Sequence, residues 1–395
     1  MAGDTAGQGR PRRDPAGGAA ALSRRFDLAI VGCGPAAGLI AYALHVRRPE
    51  LAVALVPGGA DDSDGVHSCF ANDIAAADRW IVEPFVTRSW NGYSVVFPAH
   101  RRALGVRLLA VAGGDFAVAL GRMLPAEARI ESWAARVSAT QVALADGGLI
   151  EAGGVIDARG TGDLSLLGIG WRTGLTRAVR TPGPHGVAAP VIVDAAVDQR
   201  DGCHLVTVLP ISADRLHIAD SRYQIDRIAD RGAHAEGLDA YLAANGWAGA
   251  ATEWESHGAT PVPLDGDFDA YWQSGGAGTA KAGVGAALFH PATGRLLPDA
   301  VRLAAWVADA GALPGPALHT ALHAHALRTW EARRPYRQIA ALLFRGAADA
   351  ERYRIIEHFY RQPAGLIERF HAARSTRIDR LRILAGRTPF GGKTR

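Results

Sequence analysis

Long apolar runs, cysteine and lysine are all scarce in this chain of 395 residues, and each shortage removes a class of protein. No apolar stretch approaches the roughly 18 residues that a bilayer-spanning helix needs, so none of the sequence reads as a membrane span. Residues 1–25 are rich in Gly, Ala and Arg and lack the apolar core of a secretory signal, which makes them a disordered leader. The three cysteines, Cys33, Cys69 and Cys203, are far apart and form neither a Cys-x-x-Cys pair nor a His/Cys ligand spacing. A reduced, cytoplasmic protein with no structural metal is expected. Only Lys281 and Lys393 are lysines, so the 43 basic residues are almost all arginine. They are unevenly placed. Residues 321–395 carry a net charge of +10 and residues 1–25 a net of +3, against +4 for the whole chain, which leaves the body acidic. A basic C-terminal lobe of this kind suits nucleic acid, anionic lipid or plain solvent on charge alone.

What is present begins with residues 26–56. Phe26-Asp27-Leu28-Ala29-Ile30-Val31 is strand-like, Gly32-Cys33-Gly34-Pro35-Ala36-Ala37-Gly38 is a glycine turn, an apolar helix-like run follows to Val46, and Leu51 to Val56 is a second strand. This unit sets a dinucleotide pyrophosphate on a helix N-terminus, where unpaired N–H groups and the helix dipole attract anions. Gly32 makes the tight turn, Gly34 lets the backbone approach phosphate, and Ala37 allows close helix–strand packing. Pro57 stands where an acid usually ends the second strand to hold the ribose; Asp61, Asp62 and Asp64 are the candidate replacements.

Downstream, Trp90 to Pro98 reads as a short strand, Asp115 to Leu124 as a helix, and 128–157 as a meander turning at Asp146-Gly147-Gly148. Strands at about 190–197, 203–209 and 215–221, with a helix near 235–245, suggest a separate β-rich lobe. Ala282 to Phe289 reads as an apolar strand broken by His290-Pro291-Ala292-Thr293-Gly294, with a helix from about Pro298 and helical pattern thereafter.

These segments bring a family into view. Besides the glycine turn, the chain carries Trp90 through Phe97-Pro98 with Arg101-Arg102, Val155-Ile156-Asp157-Ala158-Arg159-Gly160, Pro184-His185-Gly186 with Pro190 to Gln199, Leu288-Phe289-His290-Pro291-Ala292-Thr293-Gly294, and Asp379 to Gly386. From Asp27 to Pro389 it resembles the bacterial lycopene β-cyclases. The resemblance implies an α/β protein with a Rossmann-like FAD-binding domain (26–170 and 265–320), a β-rich substrate lobe (171–264) and a basic helical lobe (321–395). It implies FAD held by Gly32, Gly34, Ala37, Gly38, Asp157 and Gly160 and by Phe289, His290, Pro291, Thr293 and Gly294, with NAD(P)H as reductant. It also implies an apolar polyene substrate reached by peripheral docking on the inner face of the membrane, through the basic lobe and its Ile355, Ile356, Phe359 and Leu366, and no nucleic-acid partner. The implied reaction is a non-redox, acid-initiated cyclisation in which reduced flavin supplies negative charge.

The chain departs from that pattern where the chemistry is expected. The family's Ile-Glu-Asp-Thr-like segment is Ile218-Ala219-Asp220-Ser221 here, so the essential Glu position is Ala219, which donates no proton. On a strand, Asp220 points away from the face of Ala219 and His217 shares that face. Buried without a partner, Asp220 would be protonated and His217 neutral. Asp220, which the family retains, is the preferred acid and His217 the second candidate. A tryptophan is lost in His67-Ser68-Cys69-Phe70, tyrosines become Cys203 and Thr207, and an Asn-Arg pair becomes Ala340-Ala341. Such changes fit a widened pocket for a different polyene. A flavin-dependent hydroxylase or reductase, and a non-catalytic paralogue, are the alternatives.

Overall fold

The computed structural model describes residues 23–385 apart from 60–64, 200, 201, 275, 277 and 312. The strand of the glycine unit starts earlier than the composition suggests. β1 (Ser23–Val31) includes the last three residues assigned to the leader, and Leu28, Ala29, Ile30 and Val31 are fully buried. Such continuous apolar burial is what a strand covered on both faces requires. β1 pairs in parallel with β2 (Val53–Val56) and β10 (Leu149–Asp157). β9 (Gln141–Leu144) and β8 (Ala134–Val137) extend this sheet antiparallel, and the two-residue β16 (Ala280–Lys281) pairs with the end of β10.

α1 (Pro35–Arg47) begins with proline in its first turn, where the missing N–H costs nothing, and packs along α5 (Leu297–Ala310). α2 (Gly113–Met123) closes the same core through Phe116 and Leu120. A three-stranded sheet of β3 (Val66–Phe70), β7 (Leu108–Ala112) and β4 (Arg88–Trp90) lies beside it.

The second large sheet runs β15 (Ala251–Gly266), β11 (Leu167–Arg180), β14 (Arg215–Gln224), β13 (Cys203–Pro210), β12 (Val191–Asp194), β5 (Tyr93–Phe97), β6 (His100–Leu104). Two sequence expectations are corrected here. Trp90 to Pro98 is two strands in different sheets. Residues 93–104, placed by sequence with the cofactor domain, hydrogen-bond into the β-rich sheet through a parallel β5–β12 pairing.

The faces of this sheet meet different partners, which matters for the site. α3 (Arg231–Ala244) covers one face, over Leu175, Val206, Val208, Leu216 and Ile218. The other face, with Leu205, Leu209 and Tyr223, meets the C-terminal helices α7 (Arg334–Arg345), α8 (Tyr353–Tyr360), α9 (Ala364–His371) and α10 (Arg377–Ala385). Arg102 fastens the two by donating to the carbonyls of Tyr360 (2.7 Å) and Gln362 (2.5 Å). α4 (Phe268–Gln273) and α6 (Gly315–Ala332) complete the first core.

The apolar residues proposed for membrane contact are not a surface. Phe359 and Leu366 are core residues, and Ile355 and Ile356 are partly buried and face a cavity. Among the described residues, the exposed large apolar side chains of the basic lobe are instead Ile378 (63% exposed) and Leu381 (68%) on α10. No helix among the described residues is long and apolar enough to cross a membrane.

Candidate active site

Three glycine-bearing segments converge at the N-terminus of α1. Gly32 has a left-handed φ of +144°, and a Cβ there would lie 3.2 Å from that of Ala37, so Gly32 and Ala37 are small for each other's sake. Gly34 caps α1 without any side-chain acceptor, and a Cβ on it would meet nothing within 4 Å. Its face is therefore open toward the unpaired amides of the first helical turn, and a phosphate group fits there. Gly160 (φ +35°) is equally open, and Gly283 (φ +62°) would bring a Cβ to 3.0 Å from that of Ala36. Gly38 has a different task. A Cβ there would meet Phe116 at 2.6 Å, so this glycine admits α2 and does not face the open turn.

Asp157, at the end of β10, accepts from Arg159 through Nε (2.9 Å) and Nη2 (2.8 Å) and from the Arg159 amide (3.0 Å). The carboxylate thereby orients the 158–160 turn. Asp61, Asp62 and Asp64 lie outside the described residues.

The expected strand over 282–289 is a short 3-10 turn (Gly283–Ala286) after β16, ending at Ala287 with a left-handed φ of +53°. Two glycines and this reversal break the run before it can extend. His290 then folds the next segment on itself. Its amide donates to the Arg295 carbonyl (3.0 Å), its carbonyl accepts from Gly294 (2.8 Å), and Nδ1 accepts from the Ala292 amide (3.2 Å). The other ring nitrogen donates to the Phe370 carbonyl (2.9 Å). Burial, with Arg333 nearby, pushes His290 down to about 3, so the ring is neutral and acts as a brace between the turn and α9. Phe289 and Pro291 are buried beside it, the Phe289 carbonyl accepts from Arg333 (2.7 Å), and the Thr293 hydroxyl accepts from the Arg295 amide (3.4 Å). Gly294 takes the left-handed turn, at φ +68°.

The open side of 292–296 forms one wall of a cavity of about 940 Å³. Its other walls are the 65–68 segment, residues of β11 to β15, and helices α7 to α10. Of the altered positions, Thr207, Ala219 and Ala340 line this space, whereas Cys69 and Cys203 are buried in the surrounding core. His217 lines the cavity beside Ala219, its ring stacked 5.5 Å from that of Trp254 on β15. Burial alone lowers it to about 4, and the neutral imidazole is the form present near pH 7.

Asp220 faces the other way and is not the lone protonated acid expected from sequence. Oδ2 is 2.5 Å from Nε2 of His204, and Oδ1 is 2.5 Å from Nδ1 of His234 on α3. His234 also touches Thr173 Oγ1 (3.2 Å), and Nδ1 of His204 donates to the Asp198 carbonyl (2.8 Å). Burial raises the Asp220 carboxyl, but the bonds from His204 and His234 outweigh it and hold it below its ordinary range. It is a charged, fully buried carboxylate under α3. His204 and His234 were invisible as partners because they lie 16 and 14 residues away, on different elements.

The remaining family segments shape this wall. His185 accepts from the Val187 amide and contacts the Ser212 carbonyl (2.6 Å), pinning the loop before β12. Gln199 brackets the backbone of His204, accepting from its amide (3.0 Å) and donating to its carbonyl (2.7 Å).

A model of the lycopene cyclase protein family matches residues 27–393. The lycopene β-cyclase of Paracoccus sp. is 37% identical over 366 residues, covering 92% of this chain and 94% of that protein. The lycopene β-cyclase of Pantoea ananas is 35% identical, covering 93% and 96%. The chain belongs to the lycopene cyclase family. In fold it is similar to a geranylgeranyl bacteriochlorophyll reductase-like protein from Thermoplasma acidophilum (TM-score 0.61, 13% identity, 93% and 98% covered). A flavin-dependent halogenase from Xanthomonas campestris is also similar (TM-score 0.56, 12% identity, 93% and 96% covered). The expected α/β flavoprotein fold with a Rossmann-type unit is thereby established.

Proposed function

We propose that this member of the family closes β-ionone rings on the ψ-ends of lycopene or a related polyene, with FAD in its reduced form and NAD(P)H as reductant. The observation that carries this reading is the contiguity of one large cavity with the 292–296 turn on one side and the ionisable face of β14 on the other. The open face of Gly34, the 158–160 turn and Gly283 supply a fitting cradle for the dinucleotide, and Ala292, Thr293 and Gly294, on the open side of the turn that His290 braces, are the candidate contact for its ring system. When bound, the reduced flavin supplies negative charge beside a developing carbocation.

The proton is assigned to His217. It is on the Ala219 side of the strand and lines the cavity, while Asp220 is committed to two histidines beneath the opposite face. A ring lowered to about 4 is a stronger acid once protonated than free imidazole, which suits transfer to an alkene. Protonating the terminal double bond gives a tertiary cation, the next double bond attacks it, and the ring proton leaves to the now neutral imidazole. Atoms and charge balance without net oxidation. Trp254, stacked on His217, holds the imidazole in place and presents aromatic surface to the same space.

Lycopene resides in lipid, so the protein is assigned to the cytoplasmic face of the membrane. α10 presents Ile378 and Leu381 among Arg377, Arg380 and Arg382 for that contact. Expression in a lycopene-accumulating bacterium tests the reading. Cyclised pigment with the wild-type chain and linear pigment with His217→Leu support it; cyclised pigment from both variants removes His217 from the reaction.

A further inference from the structure

Two arginines of the cavity have no acid to balance them. Arg172, on β11, places Nη1 3.4 Å from where a Cβ on Gly294 would stand, and its charge acts on the Tyr223 hydroxyl. Arg295, the next residue of the same turn, lies over the Phe70 ring at 4.3 Å and donates to His371 Nδ1 at 3.0 Å. Both line the cavity, and both act on Tyr223. Among the described residues neither makes an ion pair. Asp299 is taken by Arg302 and Arg333, and Asp73, which feels Arg295, is itself raised by burial and bonded to the Phe70 amide. His371 cannot help, since burial and Arg295 keep it neutral.

Partly buried guanidinium groups without counter-charge are costly, and two of them beside a site that must tolerate a carbocation would oppose the reaction. A bound anion removes both problems. The guanidinium fork matches planar anions best.

We propose that Arg172 and Arg295 form an anion-binding site at the Gly294 end of the cavity, for a planar anion of N–C=O or carboxylate type. The occupant expected is the pyrimidine edge of reduced flavin, which rests on the flavin reading above; a carboxylate on the polyene is the other source of the same chemistry. Neither arginine donates the proton; both are positioning residues that fix the charge state of what they hold.

The two sources are separated by two measurements on the flavin-loaded protein. In the first, flavin midpoint potential is followed between about pH 6 and 8. Wild type is expected to take up one proton per two electrons, giving the monoanion, and the Arg172→Met/Arg295→Met pair two protons over the same range. The charge-preserving Arg172→Lys and Arg295→Lys variants are expected to retain the wild-type proton count, which a merely structural role would not produce. In the second, binding of a linear polyene carboxylic acid is compared with lycopene by the spectral shift of the pigment. A preference of tenfold or more for the acid, lost in the double Met variant, assigns the site to the polyene. If flavin binds and neither the proton count nor the pigment preference differs between wild type and the double variant, the anion site is overturned. If no flavin binds at all, the flavin reading fails, while the pigment comparison still decides on the arginine pair.

Discussion

His217 and Asp220 stand three residues apart on one strand and send their side chains to opposite faces of the sheet: the His217 ring stacks on Trp254, and the Asp220 carboxylate is clasped by His204 and His234 beneath α3. The alternation of side chains along a strand separates them, and their surroundings drive them to opposite charge habits, neutral imidazole and ionised carboxylate.

Asp220→Asn therefore tests stability. Removing the charge from a buried cluster leaves two histidines mispaired, and a loss of about 3 kcal/mol is expected. Because its folded value is depressed, the Asp220 contribution is present above the ordinary carboxylate range and fades as pH falls through the folded value. Denaturant unfolding at pH 7 and pH 3 should show a wild-type advantage that shrinks in acid, with turnover per folded molecule retained in the variant.

His217, the proposed donor, is expected to control rate in the opposite sense. Its protonated form is scarce at neutral pH, so turnover per folded molecule should rise about tenfold per unit as pH falls from 7 toward 5. A flat or falling profile in a protein shown to remain folded would remove His217 as the donor.

Gly34→Val fills the open face at the start of α1 and should lower FAD occupancy at least tenfold while leaving the fold intact, since no protein atom stands in the way. Flavin absorbance and melting temperature, read together, check it. Gly38→Val should do the reverse damage, destabilising the protein by collision with Phe116.

Membrane contact is read by vesicle flotation. Anionic vesicles should hold the protein, with about 1 kcal/mol from each basic residue near the surface, and salt should release it. Ile378→Ser with Leu381→Ser should weaken binding, whereas equal binding to neutral and anionic vesicles would count against this surface.

Much of the framework was legible because it is written locally. The glycine turn, the meander ending at Asp157 and the alternation that separates Ala219 from Asp220 each need only a few neighbouring residues. The His290–Gly294 segment announced itself as a motif, but its role as a brace depends on the Phe370 carbonyl, 80 residues away. The same is true of the Asp220 cluster and of Arg172 beside Gly294, which are made by register between strands and by helix docking. Burial of Phe359 and Leu366 was hidden for a related reason: basic composition describes the lobe, while helix packing decides which of its apolar residues reach solvent.

The proposed ring closure uses flavin without consuming reductant, and an anaerobic incubation distinguishes it from net reduction. Purified protein with FAD, lycopene in anionic vesicles and a limiting amount of NAD(P)H should yield many β-cyclised end groups per nicotinamide oxidised. One nicotinamide oxidised per product, or reduced and uncyclised pigment, would rule out a non-redox cyclisation and make the protein an oxidoreductase on this fold.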